Sequence, residues 1–142
     1  MSKLRTSNGD DHPEAAQKHL RDAQSLLGQQ RADGAAYLSG YVVECALKSC
    51  WQLETGRPWY RRHDLRELGQ AVAALASVAG SKTARYVKSA TIGIPSSAIK
   101  GWSSEMRYWA PTMSVGDATA WCQIAENVFL ETVGQMRLDG VL

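Results

Sequence analysis

The chain has 142 residues, of which 44% are hydrophobic and 21% are charged, and its formal net charge is +2. This length suits one domain with a core of its own, and the small net charge excludes a protein whose overall field alone attracts nucleic acid. The longest apolar run, Ala71 to Ala76, is far too short to span a bilayer, and the polar N-terminus has no signal-peptide core, so we expect a cytoplasmic protein without membrane contact.

The first segments are a tail and a surface helix. Residues 1–12 are predicted to be a flexible N-terminal tail, followed by a single domain over residues 13–142. Pro13 suits a first helical turn, with Asp11 or His12 as the cap, and Gly28 suits the end of that helix. The apolar side chains recur along one face: Ala16, Leu20, Ala23 and Leu27. His19 lies at the edge of this stripe and is interpreted as a residue at the rim of the core.

The central helix is predicted from Gly34 to Leu53, with Asp33 as its cap. Apolar side chains cover nearly its whole circumference, which is typical of a helix packed on several sides. One narrow face differs, and we call it the seam: Tyr37, Tyr41, Glu44, Lys48 and Trp51. Its two charges lie between aromatic rings, so they must be paired or lie at an opening. Gly40, on the same side, indicates the close approach of another helix.

The remaining elements are also helical. A third helix is predicted from Asp64 to Ala79, a weaker helical stretch from Ser81 to Thr91, a short helical turn from Ser103 to Tyr108, and a last helix that begins at Asp117. No segment shows the period of a half-buried strand. The predicted fold is all-α: an up-and-down antiparallel bundle of four long helices plus a short helix before the last.

The usual catalytic signatures are missing from the sequence. It contains no Gly-rich phosphate loop, no HExxH, no zinc-ligand spacing and no GxSxG. The three cysteines, Cys45, Cys50 and Cys122, lie in helical patterns without a CxxC pair, so we interpret them as structural thiols. We therefore predict no metal site and no cofactor.

Positive charge is concentrated in the middle of the chain. Between Arg57 and Lys100 there are eight Lys or Arg residues and two acidic residues. Arg57, Arg61 and Arg62 lie beside Trp59 and Tyr60, a combination that suits phosphate contact together with base stacking. The alternative interpretation is a solvated loop and helix face.

A second candidate site combines Glu44 and Lys48 with Arg107. The fork of donors on Arg107 suits a carboxylate, and the aromatic residues of WSSEMRYW around it could bury such a pair. This group is either a ligand site or a buried ion pair that fixes how the segment before the last helix docks. The two interpretations are compatible.

Three motifs carry a family resemblance. The run YLSGYVVECALK from Tyr37 to Lys48, HDL from His63 to Leu65, and the pair Arg107 and Tyr108 together resemble HEPN domains (higher eukaryotes and prokaryotes nucleotide-binding). The resemblance extends from about Pro13 to Arg137. It implies a helical bundle that dimerises through its helices and is often encoded beside a minimal nucleotidyltransferase as a toxin–antitoxin pair. Many HEPN domains are metal-independent ribonucleases, in which an Arg is followed, after four to six residues, by a His near the start of the last helices.

This sequence departs from the ribonuclease pattern, because no histidine follows His63 and Arg107 therefore has no partner. Arg57 and His63 have the bare spacing, but they lie between the second and third helices. We therefore expect a non-catalytic HEPN homodimer that binds a nucleotide, RNA or a nucleotidyltransferase partner. The ligand-binding candidates are Tyr41, Glu44, Lys48, Arg61, Arg62, Arg107 and Tyr108. The alternatives are an active ribonuclease that uses Arg57 and His63 across a dimer, and a structural dimer with no ligand.

Overall fold

A computed structural model of the chain describes residues 1–60 and 63–142. Every regular element within these residues is helical, which confirms the all-α class. The α-helices are α1 (His12–Gly28), α2 (Ala32–Thr55), α3 (Leu65–Ala76), α4 (Ser89–Ile92), α5 (Val115–Phe129) and α6 (Gln135–Leu138). The π-helical segment Leu130–Gly134 joins α5 to α6 without a break. Three 3₁₀ turns lie between α4 and α5: Ile94–Ser96, Ala98–Gly101 and Ser104–Tyr108. The last of them is the short helical turn predicted from the sequence.

Helix α2 is the centre of the bundle and packs against α1, α3 and α5. Its apolar side chains are buried on several sides, as its circumference predicts: Val42, Val43, Ala46, Leu47 and Cys50. A second, smaller core lies near the start of α2 and consists of small side chains: Ala23, Ala32, Ala35, Ala36, Ala118 and Cys122. Small side chains let α1, α2 and α5 approach closely at this end.

The N-terminal cap of α1 agrees with the sequence prediction, whereas that of α2 does not. Asp11 caps α1, because its carboxylate accepts the Glu14 N–H at 3.3 Å. The predicted cap of α2 is wrong: Arg31 occupies that position without a side-chain bond, and α2 begins at Ala32. Asp33 instead accepts the backbone N–H groups of the segment before α5, from Thr112 at 2.9 Å and Met113 at 3.2 Å.

Two further helix boundaries differ from the prediction. Helix α3 ends at Ala76, three residues earlier than predicted. Helix α5 begins at Val115 rather than Asp117, because Ser114 supplies the cap and accepts the Asp117 N–H at 3.0 Å.

The predicted helical stretch from Ser81 to Thr91 is wrong for most of its length, and only the final turn, α4, is helical. The Glu54 carboxylate accepts hydrogen bonds from the Ser81 hydroxyl at 2.8 Å and from the N–H and hydroxyl of Thr83, both at 2.9 Å. The hydroxyl of Tyr86 donates to Asp139 at 2.9 Å. These hydrogen bonds to other elements hold the segment in a series of turns and compete with the helical conformation.

The first residues contact both α2 and the end of the chain. The Lys3 ammonium donates to the Gly140 carbonyl at 2.8 Å, and the Gln52 amide donates to the Leu4 carbonyl at 2.7 Å. The hydroxyl and N–H of Ser2 donate to Asp11, each at 2.7 Å. The predicted division into a flexible tail over residues 1–12 and a domain from residue 13 is a statement about the mobility of the first residues, and it stays a prediction. Among residues 1–60 and 63–142, no helix has both the length and the apolar character needed to cross a membrane.

Candidate functional site

Helix α2 carries the seam along one face. At the N-terminal end of the seam, the hydroxyls of Tyr37 and Tyr41 are 3.1 Å apart. The two rings are perpendicular, with centroids 5.1 Å apart. At its other end Trp51 meets Trp59 edge to face at 4.7 Å between ring centroids. The two charged residues of the seam lie between these aromatic pairs.

Glu44 is the buried anion of the seam, with a side chain that is only 2% exposed. Its Oε1 accepts from the Lys48 ammonium at 2.5 Å and from His63 Nδ1 at 2.7 Å. The expectation that the charges of the seam are paired is therefore confirmed. An ionised carboxylate can only accept, so Nδ1 of His63 carries a proton. The His63 ring is 51% exposed, and Nε2 is the nitrogen that Glu44 leaves available.

The predicted pairing of Glu44 with Arg107 is wrong. Arg107 is exposed and its guanidinium lies over the ring of Tyr108, 4.9 Å from the ring centroid. Contacts with the hydroxyls of Tyr108 and Tyr37 raise the pKa of Arg107. Arg107 comes from a 3₁₀ turn at the Tyr37 end of the seam, whereas Lys48 and His63 both contact Oε1 of Glu44.

Trp102 fixes that end of the seam. Its indole N–H donates to the carbonyl of Tyr37 at 2.9 Å, and its ring centroid lies 4.9 Å from that of Tyr41. The ring covers Gly40 so closely that a Cβ at that position would lie 2.1 Å from ring atoms. The close approach predicted at Gly40 is therefore real, but it is made by a side chain and not by another helix.

Two histidines that sequence reasoning did not assign to the site also reach the seam. The ring centroid of His19 lies 5.5 Å from that of Tyr41, and burial lowers the pKa of this histidine. Burial and the positive charge of Lys48 lower the pKa of His12. His12 and His19 are seven residues apart on α1, so they share a face; this spacing is the signal that could have found them.

Comparison with known families assigns the chain. Residues 10–135 match the HEPN domain. The chain belongs to the HEPN family. No curated protein and no solved structure matches it. The matched region contains the seam, His63 and Arg107, which are the positions on which the resemblance rests.

In the loop that carries Arg57, Trp59 and Tyr60, only one of the two aromatic rings is available to stack on a base. Trp59 is 6% exposed and packs on Trp51, so it cannot stack on a base, whereas Tyr60 is 81% exposed. Arg57 is exposed, and within the described part of one chain no contact joins it to His63. The candidates Arg61 and Arg62 lie outside the described residues. In the described ranges of the HEPN domain, no group of three His, Cys, Asp or Glu residues could hold a metal ion.

Four residues on or beside the seam of the HEPN domain form the candidate site, which we call the His63–Arg107 surface: Tyr37, His63, Arg107 and Tyr108. The hydroxyl of Tyr37 helps to raise the pKa of Arg107, the rings of Tyr37 and Tyr41 lie edge to face at 5.1 Å between centroids, and the ring of Tyr41 lies edge to face with that of His63 at 6.3 Å. An exposed guanidinium, an exposed ring and a half-exposed imidazole are groups that can contact a phosphate, stack on a base and donate or accept a hydrogen bond.

Proposed function

We propose that this HEPN domain binds RNA or a nucleotide through the His63–Arg107 surface. The observation that carries the proposal is the exposed Arg107–Tyr108 pair at the Tyr37 end of the seam, together with His63, whose imidazole is held at the same seam by the buried carboxylate of Glu44. Tyr108 is 73% exposed, so one face of a base can pack on it. Glu44 and Lys48 lie beneath this surface and orient His63 rather than meeting the ligand.

Family membership supports a wider setting for this binding. HEPN domains dimerise through their helices and are often encoded beside a nucleotidyltransferase as a toxin–antitoxin pair. We extend the proposal to a cytoplasmic homodimer of this kind with a nucleotidyltransferase partner. The neighbouring gene tests the partner, since the pairing requires that a nucleotidyltransferase be encoded there.

The binding proposal is tested by fluorescence anisotropy with labelled ADP and a labelled single-stranded RNA. The variant Arg107→Glu/Tyr108→Ala changes two exposed side chains, and we expect it to weaken binding by at least about tenfold, since one base stack alone contributes about 1–3 kcal/mol. Arg21→Glu, an exposed charge reversal on α1, is the control and should bind like the wild type. Equal affinities for all three proteins would remove the His63–Arg107 surface from the proposal.

A second candidate function is the ribonuclease, and the observation that supports it is the contact between Glu44 and His63. A carboxylate on Nδ1 fixes the imidazole and leaves Nε2 to move a proton, which is the arrangement of a general acid–base histidine. The same RNA, run on a denaturing gel after incubation, decides between the two functions. Intact RNA supports binding alone, whereas cleavage that His63→Ala abolishes, in a protein with an unchanged melting curve, supports the ribonuclease. Absence of any saturable binding would leave the structural dimer.

A further inference from the structure

We propose that the ligand is a polynucleotide and that a second phosphate-binding site continues the His63–Arg107 surface. This inference rests on the proposed function, which it deepens by naming the ligand class. The second site is a cavity of about 430 Å³, which we call the Arg66–Lys100 groove, and its lining is Arg66, Gln70, Pro95, Ser96 and Lys100.

The chemistry of the groove suits an anion. Its polar side chains include a guanidinium, an ammonium and an amide, all of which can donate hydrogen bonds, and none of its lining residues is acidic. The hydroxyl of Ser96 donates to the Gly93 carbonyl at 3.1 Å. Within the described residues, Arg66 and Lys100 take part in no ion pair. This distinguishes them from Arg85 in the same basic stretch, which is bound to Asp139 at 2.5 Å. Two cations that line one cavity attract a phosphate that can accept from both.

The walls of the groove are packed firmly. Arg66 and Gln70 come from α3, and Pro95 and Ser96 come from the 3₁₀ turn Ile94–Ser96. These elements lie close together at Gly69, where a Cβ would be in ordinary contact with Ile94 and Pro95 at 3.8 Å. Ile94 and Ile99, which anchor the wall that carries Lys100, are fully buried. The backbone under both cations is therefore in place before a ligand arrives, which lowers the entropic cost of binding.

Both walls come from segments of the chain that are close in sequence to the seam's partners. Arg66 lies three residues after His63, and Lys100 lies two residues before Trp102. The ring of Trp102 contacts that of Tyr41, which in turn faces His63. A mononucleotide on the His63–Arg107 surface leaves the groove empty, whereas a strand can place a further phosphate in it. The arrangement therefore favours a polynucleotide over a single nucleotide.

The test is a double charge reversal with a matched control. Arg66→Glu/Lys100→Glu changes both cations of the groove, and Lys82→Glu/Lys88→Glu changes two exposed lysines of the same stretch that do not line it. The probes are a labelled oligouridylate and labelled ADP, titrated at several salt concentrations. We expect the groove variant to bind the RNA at least about tenfold more weakly and to lower the salt slope by about 1, because phosphate contacts are lost, while ADP binding is unchanged. The control should stay within about twofold of the wild type for both probes.

The outcomes separate this inference from the proposed function. Unchanged RNA affinity and salt slope in the groove variant, with weaker binding in Arg107→Glu/Tyr108→Ala, would overturn the groove and leave the proposed function standing. A wild-type protein that binds RNA no more tightly than ADP would also refute the proposal that the ligand is a polynucleotide. The Gln70 side-chain amide, followed by NMR during a titration with inorganic pyrophosphate, tests the groove independently of RNA. A saturable shift that the groove variant abolishes supports it, and an unchanged amide signal refutes it.

Discussion

Gly40 shows how a single missing side chain decides the construction of the site. The Trp102 ring occupies the space in which any Cβ at this position would lie. That ring in turn donates to Tyr37 and packs on Tyr41, so it sets the position of the aromatic end of the seam. An absent side chain on α2 is thus a requirement of the His63–Arg107 surface.

The first prediction concerns Gly40→Ala. We expect it to lower the free energy of unfolding, because overpacking costs about 1–3 kcal/mol, whereas alanine gains roughly 1 kcal/mol over glycine inside a helix. Gly69→Ala is the matched control on α3, since its Cβ would make only ordinary contacts at 3.8 Å. It should be neutral or stabilising. Urea denaturation of the three proteins measures the differences, and a Gly40→Ala protein as stable as the wild type would contradict the packing of Trp102 on α2.

The sequence identified the residues of the seam better than it identified their partners. The spacing of Glu44 and Lys48 placed the two charges within reach on one face, because helix geometry fixes neighbours four residues apart. The predicted pairing of Arg107 with Glu44 is wrong, because no local pattern indicates how a 3₁₀ turn more than fifty residues later approaches the helix. His63 was noticed as part of HDL, but its bond to Glu44 depends on the path of the intervening loop.

At the scale of elements, the packing of α1 on α2 places two histidines against the seam. Burial is the largest cause that lowers the pKa of both His12 and His19 from the ordinary 6.5. A histidine whose pKa is lower in the folded chain than in the unfolded chain binds a proton more readily when unfolded. The stability that it contributes is therefore present above its unfolded pKa and is lost as the pH falls through 6.5 toward the folded value.

The second prediction is a decrease in the free energy of unfolding between about pH 7.5 and about pH 5.5. The carboxyl groups of Asp11 and Asp139 do not account for a change in this range, because their pKa values lie below the ordinary 3.8. The variant His12→Gln/His19→Gln should show a smaller decrease than the wild type. Urea denaturation at the two pH values measures both slopes. Identical slopes would mean that these histidines are equally ready to bind a proton in the folded and unfolded chain.

The long helices could be predicted from the sequence, but the segment between α3 and α5 could not. Helix α2 has an apolar pattern and a glycine at its end, Gly56, whose φ of +68° suits a left-handed cap. The segment from Ser81 to Thr91 has acceptable helix formers, yet Glu54 and Asp139 bind its hydroxyl groups and hold it in turns. Such bonds join residues far apart in sequence, so they are not visible in a local pattern.

At the scale of the whole molecule, the basic residues and the exposed apolar residues indicate two different kinds of surface. The first suits an anionic ligand, and the second suits contact with another protein chain. The concentration of basic residues was evident from the sequence, but the structure distinguishes paired Arg85 from Arg66 and Lys100. The last helix exposes two leucines, Leu130 and Leu138, although it is otherwise packed into the bundle. An interface between copies of the chain would cover both side chains, and this is what we predict for them.

The third prediction is that the protein is a homodimer in which the last helix contributes to the interface. Sedimentation velocity should give the mass of a dimer for the wild type and of a monomer for Leu130→Glu/Leu138→Glu. Both side chains are exposed in the single chain, so the substitution should leave the helical circular dichroism and the melting curve unchanged. Val78→Glu, which changes an exposed apolar residue beyond the end of α3, is the control and should remain dimeric. A wild type that sediments as a monomer would contradict the dimer, and a dimeric leucine variant would place the interface on another face, because two new carboxylates on each copy could not be buried without partners.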